Sequence, residues 1–181
     1  MSGAGRTGTG SAAPLDGAAP EVDPYTLRDA FRAYATGVAV VAVGGRSPHG
    51  MTANSFTSVS LEPPRVLVCV DRDATMHGRL AAAGRFAVSV LAADQEDIAR
   101  HFARRGRARG AAQFDGVEWL PGMCTGAPLI GGALAWFECA VWRRYDGGDH
   151  SIVVGELLSA ARPARHDALL FYGGRYRALP P

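Results

Sequence analysis

The chain has 181 residues, of which 48% are hydrophobic and 20% charged, with a formal net charge of +2. That length fits one domain with a substantial core, and the balance is that of an ordinary globular protein. So small a charge gives no reason to expect nucleic acid or a membrane surface as partner, and no apolar run is long enough to span a bilayer.

Residues 1–22 are rich in Gly, Ala, Ser, Thr and Pro and have little to bury, which predicts a disordered tail ahead of a folded domain over 23–181. Gly3 to Gly8 formally matches G-x-G-x-x-G, but no strand precedes it and no helical pattern follows, so it is not a dinucleotide loop. Asp23-Pro24 opens a helix in which Leu27, Ala30, Phe31 and Tyr34 recur at helical spacing, and Thr36-Gly37 stops it. Val38 to Val43 reads as an apolar strand, and 44–50 turns the chain. A strand rich in Ser and Thr follows, closed by Glu62-Pro63-Pro64.

Arg65 to Asp71 is the next strand, expected to be buried on both faces. Thr75 to Ala83 is a short helix that Thr75 can cap, and Arg85 to Leu91 is another strand. Asp94 is expected to cap a helix running to about Arg105. A long connection over 106–132 holds one short strand near Val117 to Leu120. Ala133 to Tyr145 and His150 to Ala160 form a hairpin around Asp146-Gly147-Gly148-Asp149, and two short strands at 169–172 and 175–179 finish the domain. Strands dominate without regular strand–helix alternation. The expected fold is therefore mostly β with peripheral helices, a barrel of largely antiparallel strands rather than a doubly wound nucleotide fold.

The segment from Gly50 to Pro64 carries most of the functional signal. It crowds Thr52, Asn54, Ser55, Thr57, Ser58 and Ser60 among apolar neighbours. Buried polar groups need partners, so the segment either lines a site for a polar ligand such as a phosphate or a flavin edge, or forms a half-buried hairpin with a hydroxyl-rich solvent face. His150, directly after a tight glycine turn, projects over whatever lies beside it and can donate a hydrogen bond; a surface histidine at a hairpin edge is the plainer alternative. Asp149, His150 and Ser151 are adjacent on a strand and cannot converge as a hydrolase triad.

Thr75 at a helix start can leave N–H groups facing an anion, with His77 in the first turn. Phe102 is an aromatic that could stack, and Arg104 a cation that could meet phosphate, within an arginine-rich stretch that includes Arg100, Arg105, Arg107 and Arg109. Cys69, Cys124 and Cys139 lack C-x-x-C spacing and paired histidines, which argues against zinc. Their odd number and the absence of a secretory signal point to a reducing cytoplasm.

Taken together, several segments resemble the flavin reductase family that serves two-component flavin-dependent monooxygenases. They are Phe31 with Ala35-Thr36-Gly37-Val38; the whole of 50–64; Gly84 to Leu91; Gly147-Gly148-Asp149-His150; Gly155-Glu156; and Tyr172-x-Gly174-Arg175-Tyr176. The resemblance implies a split β-barrel, a homodimer with sites near its interface, and reduction of FAD or FMN by NADH or NADPH. It also implies that reduced flavin diffuses to a partner monooxygenase. Carried over by position, Thr52, Ala53, Asn54 and Ser55 would contact the isoalloxazine and ribityl chain, and Cys69, Val70 and Asp71 would border the ring. Thr75, His77 and Arg104 would lie toward the phosphate end. Thr36 and Gly37 would shape the pocket, and His150 would position the nicotinamide. A non-catalytic flavin- or haem-binding module and an oxidase of a phosphorylated pyridoxine-like substrate are the competing readings on the same barrel.

Overall fold

The computed structural model describes residues 22–163 and 167–178. The expected tail, save Val22, and its glycine-rich match lie outside the described residues. Helix α1 (Pro24–Arg32) starts where expected, because the Asp23 carboxylate accepts the N–H groups of Tyr25 (2.9 Å) and Thr26 (3.2 Å). Its apolar stripe does not face the core: no residue of α1 is buried, and Phe31 is 67% exposed.

Strand β1 (Thr36–Gly37) joins a small sheet, while β2 (Ala39–Val43), β3 (His49–Ala53), β4 (Thr57–Leu61) and β5 (Pro64–Asp71) belong to a large one. Helix α2 (Thr75–Ala83), β6 (Arg85–Val90), α3 (Glu96–Ala103), β7 (Trp119–Pro121) and β8 (Pro128–Ile130) follow. The hairpin β9 (Ala135–Gly147) and β10 (His150–Ala161) then leads to β11 (Leu169–Tyr172) and β12 (Arg175–Ala178). The large sheet is antiparallel throughout, in the order β3-β2-β6-β9-β10-β5-β4.

That order dictates the shape. Seven strands laid flat at about 4.8 Å spacing would set β3 and β4 roughly 29 Å apart. Only Asn54, Ser55 and Phe56 join them, a reach of at most about 14 Å. The sheet therefore curls until its edges approach, giving a barrel whose ladder stays open between β3 and β4. The single Ser/Thr-rich strand expected over 50–61 is in fact two, one on each lip of this opening.

Val41, Val43, Val66, Val68, Val70, Phe86, Val88 and Val153 fill the barrel, plugged by Met76 and Leu80 of α2. Outside it, Val38 and Val40 pack with Leu91, Ala99, Phe102, Phe114, Ile130 and Leu169, so β2 is buried on both faces. Strand β5 is not: Val66, Val68 and Val70 point inward, whereas Arg65, Leu67, Cys69 and Asp71 are only partly covered. Its neighbour β4 is an edge strand, and the cover on that outer face is partial, with Arg65 stacked on Trp142 of the β9–β10 hairpin at 3.4 Å.

The expected caps are corrected. Ala74 precedes α2 without a side-chain bond, and Thr75 is its first helical residue. A 3-10 turn, Ala93–Gln95, precedes α3, and Gln95 rather than Asp94 anchors it. The Gln95 side chain accepts from Ala92 N–H (3.0 Å) and donates to the Gly131 carbonyl (2.7 Å). Helix α3 ends at Ala103, two residues early, and two short strands replace the one expected in the long connection.

Candidate functional site

Alternation on the strands sorts the candidate residues by face. Thr52 pairs with Val40, which belongs to the outer cluster, and its hydroxyl donates to the Ala99 carbonyl of α3 at 2.7 Å. Cys69 and Asp71 share the outer face of β5, and His150, paired with Asp71, lies on the same side. Thr52, Cys69, Asp71 and His150 thus face outward across and beside the barrel's opening. Ala53 and Val70 point into the core, Val70 with 0% exposure, so only their backbones remain available to a ligand.

The crossover between the lips closes the arrangement. Ser55 Oγ donates to the Cys69 carbonyl (3.0 Å) and accepts the Cys69 N–H (3.1 Å), replacing a strand neighbour with one hydroxyl. This contact holds Asn54, which is exposed, at the rim of two cavities. The larger, of about 460 Å³, is lined by Tyr34, Thr36, Asn54, Ser55, Phe171 and the α1 residues Arg28, Phe31 and Arg32. The smaller, of about 190 Å³, continues over Val38, Thr52, Ala103 and Tyr176. Small-molecule sites run roughly 300–1,000 Å³ and combine apolar walls with a few placed polar groups. Thr36 Oγ1 is buried here without a partner among the described residues, an orphaned hydroxyl that a polar ligand would satisfy. Aromatic walls with amide and hydroxyl groups fit a planar heterocycle.

His150 sits at the far end of this face. The β9–β10 loop is the two-residue turn Gly148-Asp149, with Gly148 at φ 79°. Asp146 pins the turn by accepting Gly148 N–H and Arg72 Nη2, each at 2.8 Å; these two contacts, the first above all, hold its carboxyl below the usual range. Asp149 lies in the turn rather than on the strand, so strand alternation does not keep it from its neighbour: its Oδ1 is 2.7 Å from His150 Nδ1. Ser151 does face away, into the barrel, where its hydroxyl meets His77 Nε2 at 2.9 Å. The triad is excluded as expected, and His77 and His150 lie on opposite faces of β10.

Three candidates take other places. Phe102 is 0% exposed, wedged against Gly50 and Phe114, so it has no free face for stacking and serves the core. Arg104, exposed at the end of α3, and Thr75, exposed at the start of α2, line neither cavity. Sequence reasoning missed the polar knot beneath α3. Gln113, fully buried, accepts Gly50 N–H (2.8 Å) and donates to the carbonyls of Pro48 (2.8 Å) and Gly110 (3.0 Å). Arg107 donates to the Gly50 carbonyl and lies 3.4 Å from His49 Nε2. Burial, followed by the charge of Arg107, pushes His49 down to about 4. No local motif announces Gln113, because two of its three backbone partners, Gly50 and Pro48, lie more than sixty residues away in sequence.

An open antiparallel barrel with an aromatic-walled cleft on its outer face is a flavin reductase-like split barrel. The chain belongs to the family described as the flavin reductase like domain, whose model matches residues 31–180. It is 56% identical over 159 residues to an NADH-dependent FAD reductase of Streptomyces globisporus, covering 88% of this chain and 87% of that one. It is 36% identical to HsaB of Mycobacterium tuberculosis H37Rv, a flavin-dependent monooxygenase reductase subunit, over 89% of this chain and 85% of that one. The crystal structure of BorF, the flavin reductase component of a bacterial two-component tryptophan halogenase, superposes with a TM-score of 0.84. Identity to BorF is 60%, covering 88% of this chain and 99% of BorF.

Proposed function

We propose that this chain is an NADH-dependent flavin reductase that takes FAD or FMN as its flavin and releases the reduced flavin to a separate flavin-dependent monooxygenase. The observation that carries this reading is the outer cleft, where the orphaned Thr36 hydroxyl, Asn54 and aromatic walls meet at the lips of the barrel. When bound, flavin and nicotinamide supply the redox chemistry themselves. The residues bind, orient and exclude water. Asn54 and Thr36 offer hydrogen bonds to the flavin, Thr52 and Cys69 shape the floor, and Phe31, Tyr34 and Phe171 shield it. His150, oriented by Asp149, holds the nicotinamide from the other end of the face.

The apolar residues left exposed on α1 and on the edge strand β4, Phe31 and Leu61 among them, support a homodimer in which a second copy covers them. Sedimentation at micromolar concentration should give twice the chain mass, and a monomer would exclude that assembly. Three free cysteines and no disulfide among the described residues suit a reducing compartment, and we place the protein in the cytoplasm.

The direct test mixes the protein with NADH and, separately, FAD or FMN, and follows the NADH absorbance band. Flavin-dependent loss of NADH over many turnovers is expected. No loss with either flavin, with NADH or NADPH, would favour a binding module over an enzyme.

A further inference from the structure

Helix α1 contributes two arginines to the larger cavity that the reading above leaves unused. Arg28 and Arg32 are one turn apart, so their side chains emerge on one side of the helix. Arg32 is held in place: its carbonyl accepts Gly173 N–H at 2.9 Å, and its side chain passes so close to the β11–β12 turn that a Cβ on Gly174 would lie 3.5 Å from its Nε. Among the described residues its only carboxylate contact, to Asp29 at 3.8 Å between largely exposed groups, is long and weak. Arg28 has no ion pair among the described residues. Thr36, whose buried hydroxyl has no partner among the described residues, lines the same cavity together with Phe31 and Phe171. Paired guanidinium groups with unused donors, set beside aromatic faces, are suited to a phosphate attached to a planar ring system.

We propose that Arg28 and Arg32 bind a phosphate of the nucleotide that occupies this cavity, which makes α1 a specificity element as well as a packing helix. The inference rests on the flavin reductase reading. A phosphate ester or anhydride is common to FMN, FAD and NADH, and the experiment separates these sources. Because α1 buries none of its residues, Arg28→Ala, Arg32→Ala and the double variant should keep the thermal melt of the native chain.

Flavin fluorescence titrations of the full chain compare riboflavin, which lacks phosphate, with FMN and FAD. Kinetics compare NADH with 1-benzyl-1,4-dihydronicotinamide, a phosphate-free donor. A flavin phosphate at this site predicts that the double variant loses about tenfold in affinity for FMN and FAD with riboflavin unchanged. A nicotinamide-nucleotide phosphate predicts about a tenfold rise in KM for NADH with the benzyl donor unchanged. Either result supports the proposal. Unchanged values throughout overturn it, as does an equal loss for riboflavin and FMN. A native chain that binds FMN through these arginines without turning over NADH would sink the reductase reading alone, and one that binds no flavin and consumes no NADH would sink both.

Discussion

Asp149 Oδ1 stands 2.7 Å from His150 Nδ1, and both side chains are exposed. Nδ1–H donated to that carboxylate holds the ring in a fixed orientation and leaves Nε2 free to meet a ligand. The bond to His150 in turn holds the Asp149 carboxyl below its ordinary range. Hydride transfer asks the protein mainly for alignment, so His150→Ala should raise the KM for NADH with a smaller effect on kcat. Asp149→Asn, which keeps the shape but weakens the orientation, should do the same to a lesser degree. Steady-state kinetics check both, and native values of KM and kcat in His150→Ala would remove that residue from the site.

The decisive element is the short crossover from β3 to β4. Asn54, Ser55 and Phe56 carry the chain between the two edges of a seven-stranded sheet, and Ser55 fastens it to β5 with one hydroxyl making two bonds. Removing that hydroxyl leaves a partly buried N–H and carbonyl of Cys69 in need of partners. Ser55→Ala should therefore cost about 1–3 kcal/mol, read as a lower denaturation midpoint. If this crossover positions the flavin, the same variant also raises the KM for flavin. A native midpoint would show that water replaces the hydroxyl without loss.

For the molecule as a whole, acid stability should report the knot under α3. His49 is 7% exposed, with Gln113 Nε2 and Arg107 Nη2 each 3.4 Å from its ring nitrogens. Burial first, then the positive charges of Arg107, Arg79 and Arg109, keep the ring neutral down to about pH 4, against an ordinary value of 6.5. The unfolded chain takes up this proton before the folded one does. Stability from His49 is therefore complete above about pH 6.5, declines as the pH falls, and is lost by about pH 4. The span corresponds to about 3 kcal/mol. Denaturant titrations of His49→Gln should show a flatter acid limb over that window, and a limb as steep as the native one would assign the loss to other groups.

Local chemistry alone determined much of this protein. Asp23 announces the start of α1, the valines of β2 a buried strand, Gly148 a tight turn, and the hydroxyl-rich run at 50–61 a stretch whose polar groups need partners. Each is a short-range signal of capping, burial, backbone freedom or unsatisfied polarity. The tertiary structure alone decided that this run splits across the two lips of the barrel, because only the strand order shows that three residues must bridge its edges. It turned Cys69 and Asp71 outward while Val70 turned in, and it sank Phe102 into the core because Gly50, fifty-two residues earlier, leaves room for its ring. It also left the apolar stripe of α1 uncovered and brought Arg28 and Arg32 to the cavity. Periodicity finds an apolar face, but what covers that face is set by contacts distant in sequence.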